Sequence, residues 1–372
     1  MDERAKKRSV VPFGPQHPVL PEPIHLDLVL EDEKVVDVIP SIGFIHRGLE
    51  ELVNRRDFNQ YVYIAERTCG ICSFGHGLGY VEAVEKMMNV EVPVRAKYLR
   101  TIWGEMARIH SHLLWAGLMA DAFGFENLFY QCWRLREKNL DLVEMTTGGR
   151  LIYSVNKVGG VLRDITPDMQ KIILSNLAEI ETELKDIYKV FTTDYSVLER
   201  TRGVGVLTKE QVHDLGACGP YARASGVNRD IRQLGYEAYG DLDFEPVVSN
   251  DGDNFARCDV RLREVFQSID LIRQAIAKMP AETDLATPVK GNPDGEALVR
   301  IEQPRGEAIY YVEGNGTKFL NRFRLRTPTF ANIPAMCETM KGCNYADIPL
   351  LVVTIDPCIS CTERCGGYHG EV

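Results

Sequence analysis

Two Cys-x-x-Cys pairs, Cys69 with Cys72 and Cys358 with Cys361, stand near opposite ends of a 372-residue chain. If the four thiols share a site, the fold must bring together segments separated by most of the sequence. One pair alone is a modest signal, because it also fits a redox dithiol, half of a zinc site or two unrelated buried thiols. Two pairs make a four-thiolate site plausible. Soft thiolates select zinc, iron–sulfur clusters, nickel or Cu(I) over Mg or Ca. Spacing leaves structural zinc, an iron–sulfur cluster and another transition metal all open.

The length allows one large domain or two ordinary ones. With 45% hydrophobic and 26% charged residues, the composition is that of a folded globular protein. A net charge of −10 repels polyphosphate and argues against nucleic acid as a ligand. No apolar run reaches the ~20 residues of a membrane helix, since Asp121 closes Leu113–Ala120 and Asp356 closes Leu350–Ile355. Met1–Arg8 is charged and leads into Pro12, Gly14 and Pro15, so no secretory leader is expected and the cytoplasm is the default address. That compartment keeps thiols reduced, so ten cysteines ask for a metal, a redox role or burial.

Alternation of Leu26, Leu28, Leu30, Val36 and Val38 around Glu31–Lys34 predicts a β-hairpin over Ile24–Ile39. The Cys69 motif reads as a turn opening a helix to about Met88. Pro93 then starts a second helix, in which Leu99, Ile102, Met106, Ile109, Leu113 and Ala116 recur at spacings of three and four. Trp103, Leu114, Leu118 and Met119 on its other faces predict burial on several sides. Glu126–Met145 and Thr166–Phe191 are amphipathic helices, and Arg257–Met279 is another. Residues 202–253 read as irregular or short elements, Arg305–Glu313 and Leu350–Ile355 as short strands. The sum is a mainly α, α+β fold: a long-helix bundle with a small N-terminal sheet. With no repeat or low-complexity linker, one continuous domain is expected over 1–372.

The residues around the cysteines narrow the chemistry. Arg67, Gly70 and His76 frame one pair, and Asp356, Pro357 and Arg364 frame the other. Arg-x-Cys-Gly-x-Cys-x-x-x-His with a late Asp-Pro-Cys-x-x-Cys-x-x-Arg resembles the large subunit of [NiFe] hydrogenases. Gly14-Pro15-Gln16-His17-Pro18, His46-Arg47-Gly48-Leu49-Glu50 and Ser111-His112-Leu113-Leu114-Trp115 point to the membrane-bound, energy-converting branch. That branch resembles the quinone-site, 49-kDa-type subunit of respiratory complex I. The resemblance runs over essentially the whole chain.

The resemblance implies that Cys69 and Cys358 are terminal thiolates on nickel, and that Cys72 and Cys361 bridge nickel and iron. CO and two cyanides would complete the iron. Cys358 is one candidate base for the proton of H2, and Arg305, matching an arginine held over the open position, is another. Glu22, in Pro21-Glu22-Pro23, is similar to the glutamate that starts the proton route; general exposure statistics favour a solvated loop residue. Glu50 matches a position that binds a structural Mg or Fe ion, with Arg364 in place of the usual histidine partner. His76 would support a bridging thiolate, or be an ordinary core histidine; Thr329 would donate to a cyanide, or be an ordinary loop threonine. His110 and His112 read as packing or hydrogen-bonding residues. Cys132, Cys218, Cys258, Cys337 and Cys343 read as buried thiols, and Glu179–Lys185 as solvated surface.

The implied activity is interconversion of H2 with two protons and two electrons, on the cytoplasmic face of a membrane complex. The implied partners are a small subunit with a [4Fe–4S] cluster, a ferredoxin-like carrier, antiporter-like membrane subunits, nickel-insertion proteins and a maturation endopeptidase that removes Cys365–Val372. Two other classes are a metal-free, complex I-like quinone-pocket subunit and a zinc-stapled scaffold.

Overall fold

A computed structural model describes residues 8–363. The predicted hairpin forms the last two strands of a three-stranded antiparallel sheet, β1 (Arg8–Phe13), β2 (His25–Glu31) and β3 (Lys34–Ser41), with β2 in the centre. The turn falls between Glu31 and Lys34, as the alternation requires, and a register shift at Val29/Leu30 locally breaks the pleat. Leu26, Leu28 and Leu30 all point into one apolar cluster.

The helices follow in the order α1 (Phe58–Glu66), α2 (Ser73–Met88), α3 (Val94–Ala122) and α4 (Glu126–Thr147). The short strands β4 (Asn156–Lys157) and β5 (Gly160–Val161) precede α5 (Pro167–Thr193) and α6 (Tyr195–Thr201). Next come α7 (Lys209–Asp214), α8 (Pro220–Arg223) and α9 (Asn254–Lys278). A second antiparallel sheet, β6 (Asp294–Gln303), β7 (Gly306–Asn315) and β8 (Leu320–Arg326), leads to α10 (Pro328–Met340), α11 (Ile348–Thr354) and α12 (Ile359–Thr362).

The seam residues Leu99, Ile102, Met106, Ile109, Leu113 and Ala116 of α3 are all buried, and α4, α9 and α11 pack around the helix. Thr166 caps α5 by accepting from the Met169 N–H, with Pro167 in the first turn. Residues 202–253 hold short elements as expected, including α7 with its Thr208–Gln211 capping box.

The C-terminal third departs from the sequence reading. Leu350–Ile355 is the helix α11, not a strand; an apolar run buried on all sides carries no periodicity to separate the two. The predicted strand at Arg305–Glu313 is β7, flanked by two strands that the sequence did not signal.

Candidate metal centre

The turn between α1 and α2 carries Cys69 and places Cys72 at the N-cap of α2. The turn between α11 and α12 carries Asp356 and Pro357 and sets Cys358 at the N-terminus of α12. Because α3 packs on both α2 and α11, the two cysteine turns meet. All four thiols are buried in one cluster. Cys358 Sγ lies 3.1 Å from Cys69 Sγ and 3.0 Å from Cys361 Sγ. The sulfurs of Cys69, Cys72 and Cys361 lie within 4.8 Å of one another, the one such metal-ligand group among the described residues.

Arg305 spans the two turns. Its Nη1–H donates to Cys72 Sγ at 3.0 Å, Nε–H to the Asp356 carbonyl at 2.7 Å, and Nη2–H to Asp356 Oδ1 at 2.7 Å. Burial disfavours its charge, yet Asp356 and the cysteine sulfurs overcome that and hold the guanidinium well above its usual range. The turn that presents Arg305 requires glycine on both sides of a backbone contact. A Cβ at Gly219 (φ +69°) would lie 2.4 Å from the Arg305 carbonyl oxygen, and Gly306 has φ +131°. Asp356 itself adopts φ +59°, a left-handed backbone that aspartate tolerates better than most residues.

His76 Nε2 lies 3.2 Å from Cys361 Sγ. On its other side Nδ1 faces the Tyr310 hydroxyl at 3.0 Å and the Gln303 amide at 3.2 Å. With Gln303 donating to Nδ1, the ring proton sits on Nε2 and points to the sulfur. Tyr310 reaches the histidine because Gly79 lets α2 approach β7; a Cβ there would stand 2.3 Å from the tyrosine ring.

Hydrogen bonds from Cys358, Cys361 and Cys72 hold the Cys69 thiol well below its usual range. Cys361 is driven up by burial and by its three neighbours. Cys72 and Cys358 each gain from Cys361, but the charge on Cys69 and burial push both up. Of the four, Cys69 is the one its sulfur neighbours favour as a thiolate; a soft cation that took the remaining sulfurs would displace their protons. The four convergent, buried thiols with two N–H donors aimed at them fit a thiolate-held transition-metal pair.

Glu22 is not a solvated loop residue. It is half-buried, accepts from the Ser360 N–H at 2.8 Å and also accepts from the Ser360 hydroxyl, so it touches the residue between Cys358 and Cys361. The Thr329 hydroxyl accepts from the Cys358 N–H at 3.3 Å. Glu50 lies away from the sulfurs: Arg324 Nη1–H donates to one carboxylate oxygen at 2.7 Å and the Leu325 N–H to the other at 3.0 Å. Arg364 and residues 365–372 lie outside the described residues.

His112 Nε2 lies 2.9 Å from Glu264 Oε2, within a buried network that joins Arg223, Asp230, Arg232, Glu105 and Arg108. His110 Nδ1 accepts from Arg136 Nε–H at 3.0 Å; burial, then Arg136, push its pKa down to about 3. The charges of this network are paired, as a low-dielectric interior requires. Cys132, Cys218, Cys258 and Cys337 are buried as expected, and Cys343 is partly so.

The sequence reading missed Gln303, Tyr310, Glu363 and Glu66. Proximity to the motifs is the signal that was there: Gln303 precedes Arg305 by two residues, and Glu66 precedes the Cys69 turn. Burial pushes the Glu66 carboxyl up to about 7, against the lowering effect of Ser154, whose hydroxyl donates to it at 3.0 Å.

The family described as "Respiratory-chain NADH dehydrogenase, 49 Kd subunit" matches residues 123–291 and 284–364, and "Nickel-dependent hydrogenase" matches 47–117. The membrane-bound hydrogenase subunit alpha of Pyrococcus furiosus is 39% identical, over 95% of this chain and 87% of its own length. The carbon monoxide-induced hydrogenase of Rhodospirillum rubrum is 40% identical, over 95% and 99%. A solved archaeal respiratory membrane complex, the membrane-bound sulfane sulfur reductase, contains a chain with a TM-score of 0.92 and 29% identity, over 98% of this chain and 100% of that one. The chain belongs to the family that unites the large subunits of membrane-bound, energy-converting hydrogenases with the 49 Kd subunits of respiratory NADH dehydrogenase. Among the described residues no helix is long and apolar enough to cross a membrane.

Proposed function

We propose that this protein is the catalytic subunit of an energy-converting [NiFe] hydrogenase, interconverting H2 with two protons and two electrons. The observation that carries this reading is the convergence of both cysteine pairs in one buried cluster, because a quinone-pocket subunit has no need of four thiols there.

In this reading Cys69, Cys72, Cys358 and Cys361 would hold a nickel–iron pair, Cys69 and Cys358 on the nickel and Cys72 and Cys361 shared with an iron completed by CO and two cyanides, and Thr329, which accepts from the Cys358 N–H, would donate to a cyanide. Such a centre, when bound, polarises H2 so that it splits into protons and electrons. The chain's own groups do the rest. His76 donates to the Cys361 sulfur and damps its charge. Arg305 stays charged, and its donors are committed to Asp356 and Cys72, which favours an orienting and electrostatic role over that of a base. Cys358 is then the better candidate for proton acceptor. Glu22, hydrogen-bonded to Ser360 between Cys358 and Cys361, is the next stop for the proton. The pairing of Glu50 with Arg324 and Leu325 supports a carboxylate whose charge is met by protein, with a structural Mg or Fe ion as an addition rather than a need.

The described cysteines outside the cluster show no grouping for an iron–sulfur relay. Electrons would therefore leave through a small subunit with a [4Fe–4S] cluster to a ferredoxin-like carrier. That relatives are named as parts of membrane-bound complexes supports docking against membrane subunits, which in this reading would be antiporter-like and met at the cytoplasmic face. Nickel-insertion proteins and an endopeptidase cutting after Arg364 would complete maturation.

An infrared spectrum of the purified complex, with nickel and iron counted per chain, tests this. Stretching bands of metal-bound CO and cyanide that shift under H2 are expected. A trimmed chain without such bands, carrying zinc or no metal, overturns the reading.

A further inference from the structure

The described chain ends on a side chain that the proposed chemistry does not use. Glu363 is buried, and its carboxylate points back into the loop that follows β3. Its Oε1 accepts from the Gly43 N–H at 2.6 Å and the Phe44 N–H at 2.8 Å, and its Oε2 accepts from the Ile45 N–H. Three successive backbone N–H groups turned on one carboxylate form an anion-binding nest, which needs a backbone such as Gly43 provides at φ +123°. The same loop grips twice more. His46 Nδ1 lies 3.3 Å from the Glu363 carbonyl. Arg47 donates to the carbonyls of Arg67 at 3.0 Å and Thr68 at 2.6 Å, immediately before Cys69, and reaches the Ser360 carbonyl at 3.5 Å.

Residues 43–47 therefore touch both cysteine turns at once, on the side where Glu22 holds Ser360. Further in, the Cys358–Cys361 segment is tied down by Arg305 on Asp356, by the Thr327 hydroxyl donating to the Cys361 carbonyl at 3.0 Å, and by Thr329. The three N–H groups on Glu363 are the fastening at its far end. Charge-assisted bonds of this kind are short and stronger than neutral ones.

We propose that residues 43–47 are the seat onto which the C-terminal cysteine segment closes, and that Glu363 is the positioning residue that locks Cys358 and Cys361 in register with Cys69 and Cys72. The lock rests on geometry that holds for any metal; its use in retaining nickel rests on the hydrogenase reading above.

The test is alkylation of the full chain, stripped of metal, with each cysteine followed by mass spectrometry in wild type, Glu363→Ala and Glu363→Gln. Cys132 and Cys258, buried elsewhere, report general loosening. In Glu363→Ala, Cys358 and Cys361 are expected to react at least tenfold faster while Cys132 and Cys258 keep their rates. Glu363→Gln, which retains a carbonyl acceptor, should fall between. Amide exchange at Gly43, Phe44 and Ile45 should rise in the same order. Unchanged rates at Cys358 and Cys361, or an equal rise at Cys132 and Cys258, overturns the proposal, and the same comparison on Glu363→Gln decides the matter if the alanine variant fails to fold. The outcome is independent of whether the purified complex shows the CO and cyanide bands, so the two readings fail separately. If both hold, nickel should leave Glu363→Ala at least tenfold faster under chelator.

Discussion

His76 Nε2 stands 3.2 Å from the sulfur of Cys361, at the head of a chain that continues through Tyr310 and Gln303 to the carbonyl of Gly75. The ring is thus aimed from behind, with Nε2 turned to the Cys361 sulfur. Groups that orient a metal-site residue from the far side are commonly worth 10–100-fold in affinity or activity. His76→Leu is expected to lower H2 oxidation by about that factor, with nickel still present. Tyr310→Phe, which removes one of two groups facing Nδ1, should cost less. Rates normalised to nickel per chain check both.

Loss of a thiol proposed to bridge the two metals is expected to be more severe. Cys361→Ser should abolish activity and leave no binuclear centre, because a hydroxyl does not ionise to share two soft metals. Metal counting and the infrared bands read this directly, and a fully active Cys361→Ser enzyme would contradict the assignment.

Arg305 and Asp356 form a buried ion pair with both partners about 3% exposed. Removing one partner strands the other charge without water, which costs about 3–5 kcal/mol. Arg305→Met should therefore unfold at lower urea concentration by a free energy of that order. Arg305→Met combined with Asp356→Asn should recover much of the loss, and a double-mutant cycle measures the coupling.

At Gly79 the constraint is steric. A methyl group would overlap the Tyr310 ring, a rigid group held between α2 and the Phe323 ring. Gly79→Ala is expected to destabilise by about 1–3 kcal/mol, as overpacking does, despite the better helix propensity of alanine. Thermal unfolding checks the sign; a stabilised variant would mean that β7 yields freely.

His110 gives a pH dependence. Its folded pKa is depressed to about 3 by burial and Arg136, whereas the unfolded chain titrates near its ordinary value of 6.5. The unfolded state binds the proton and the folded state does not, so the contribution of His110 is fully present above pH 6.5. It is lost as pH falls from 6.5 towards 3, by up to about 1.4 kcal/mol per pH unit. Urea titrations of wild type and His110→Gln between pH 7 and 5 should diverge, with the wild type losing more.

The helical core was legible because Leu99, Ile102, Met106, Ile109, Leu113 and Ala116 keep a strict period that packing then fills. Strands β6 and β8 were not. In β8 the buried positions are Leu320, Phe323 and Leu325, and a register shift at Glu313/Gly314 in β7 spoils the alternation along the sheet. Helix α10 was hidden by Pro328 and Pro334, the second lying inside the helix. Within the site, the ligand cysteines and Arg305 announce themselves by motif. Glu363 on Gly43, or Gln303 beside His76, could not be read, since neither separation has a period and each depends on how whole elements pack. Glu22 was legible only through the resemblance, against exposure statistics that favour solvent, and its carboxylate accepts from Ser360.

The meeting of the Cys69 and Cys358 turns also sets an order of events in the life of the molecule. A ribosome that has released the first cysteine pair must still make almost the entire body before the second pair exists. No metal pair requiring all four sulfurs can be completed on the growing chain, whatever its affinity for Cys69 and Cys72. In the hydrogenase reading, loading would be a post-synthetic act performed on a body whose core can already have formed, with the last helical turn arriving at a prepared place.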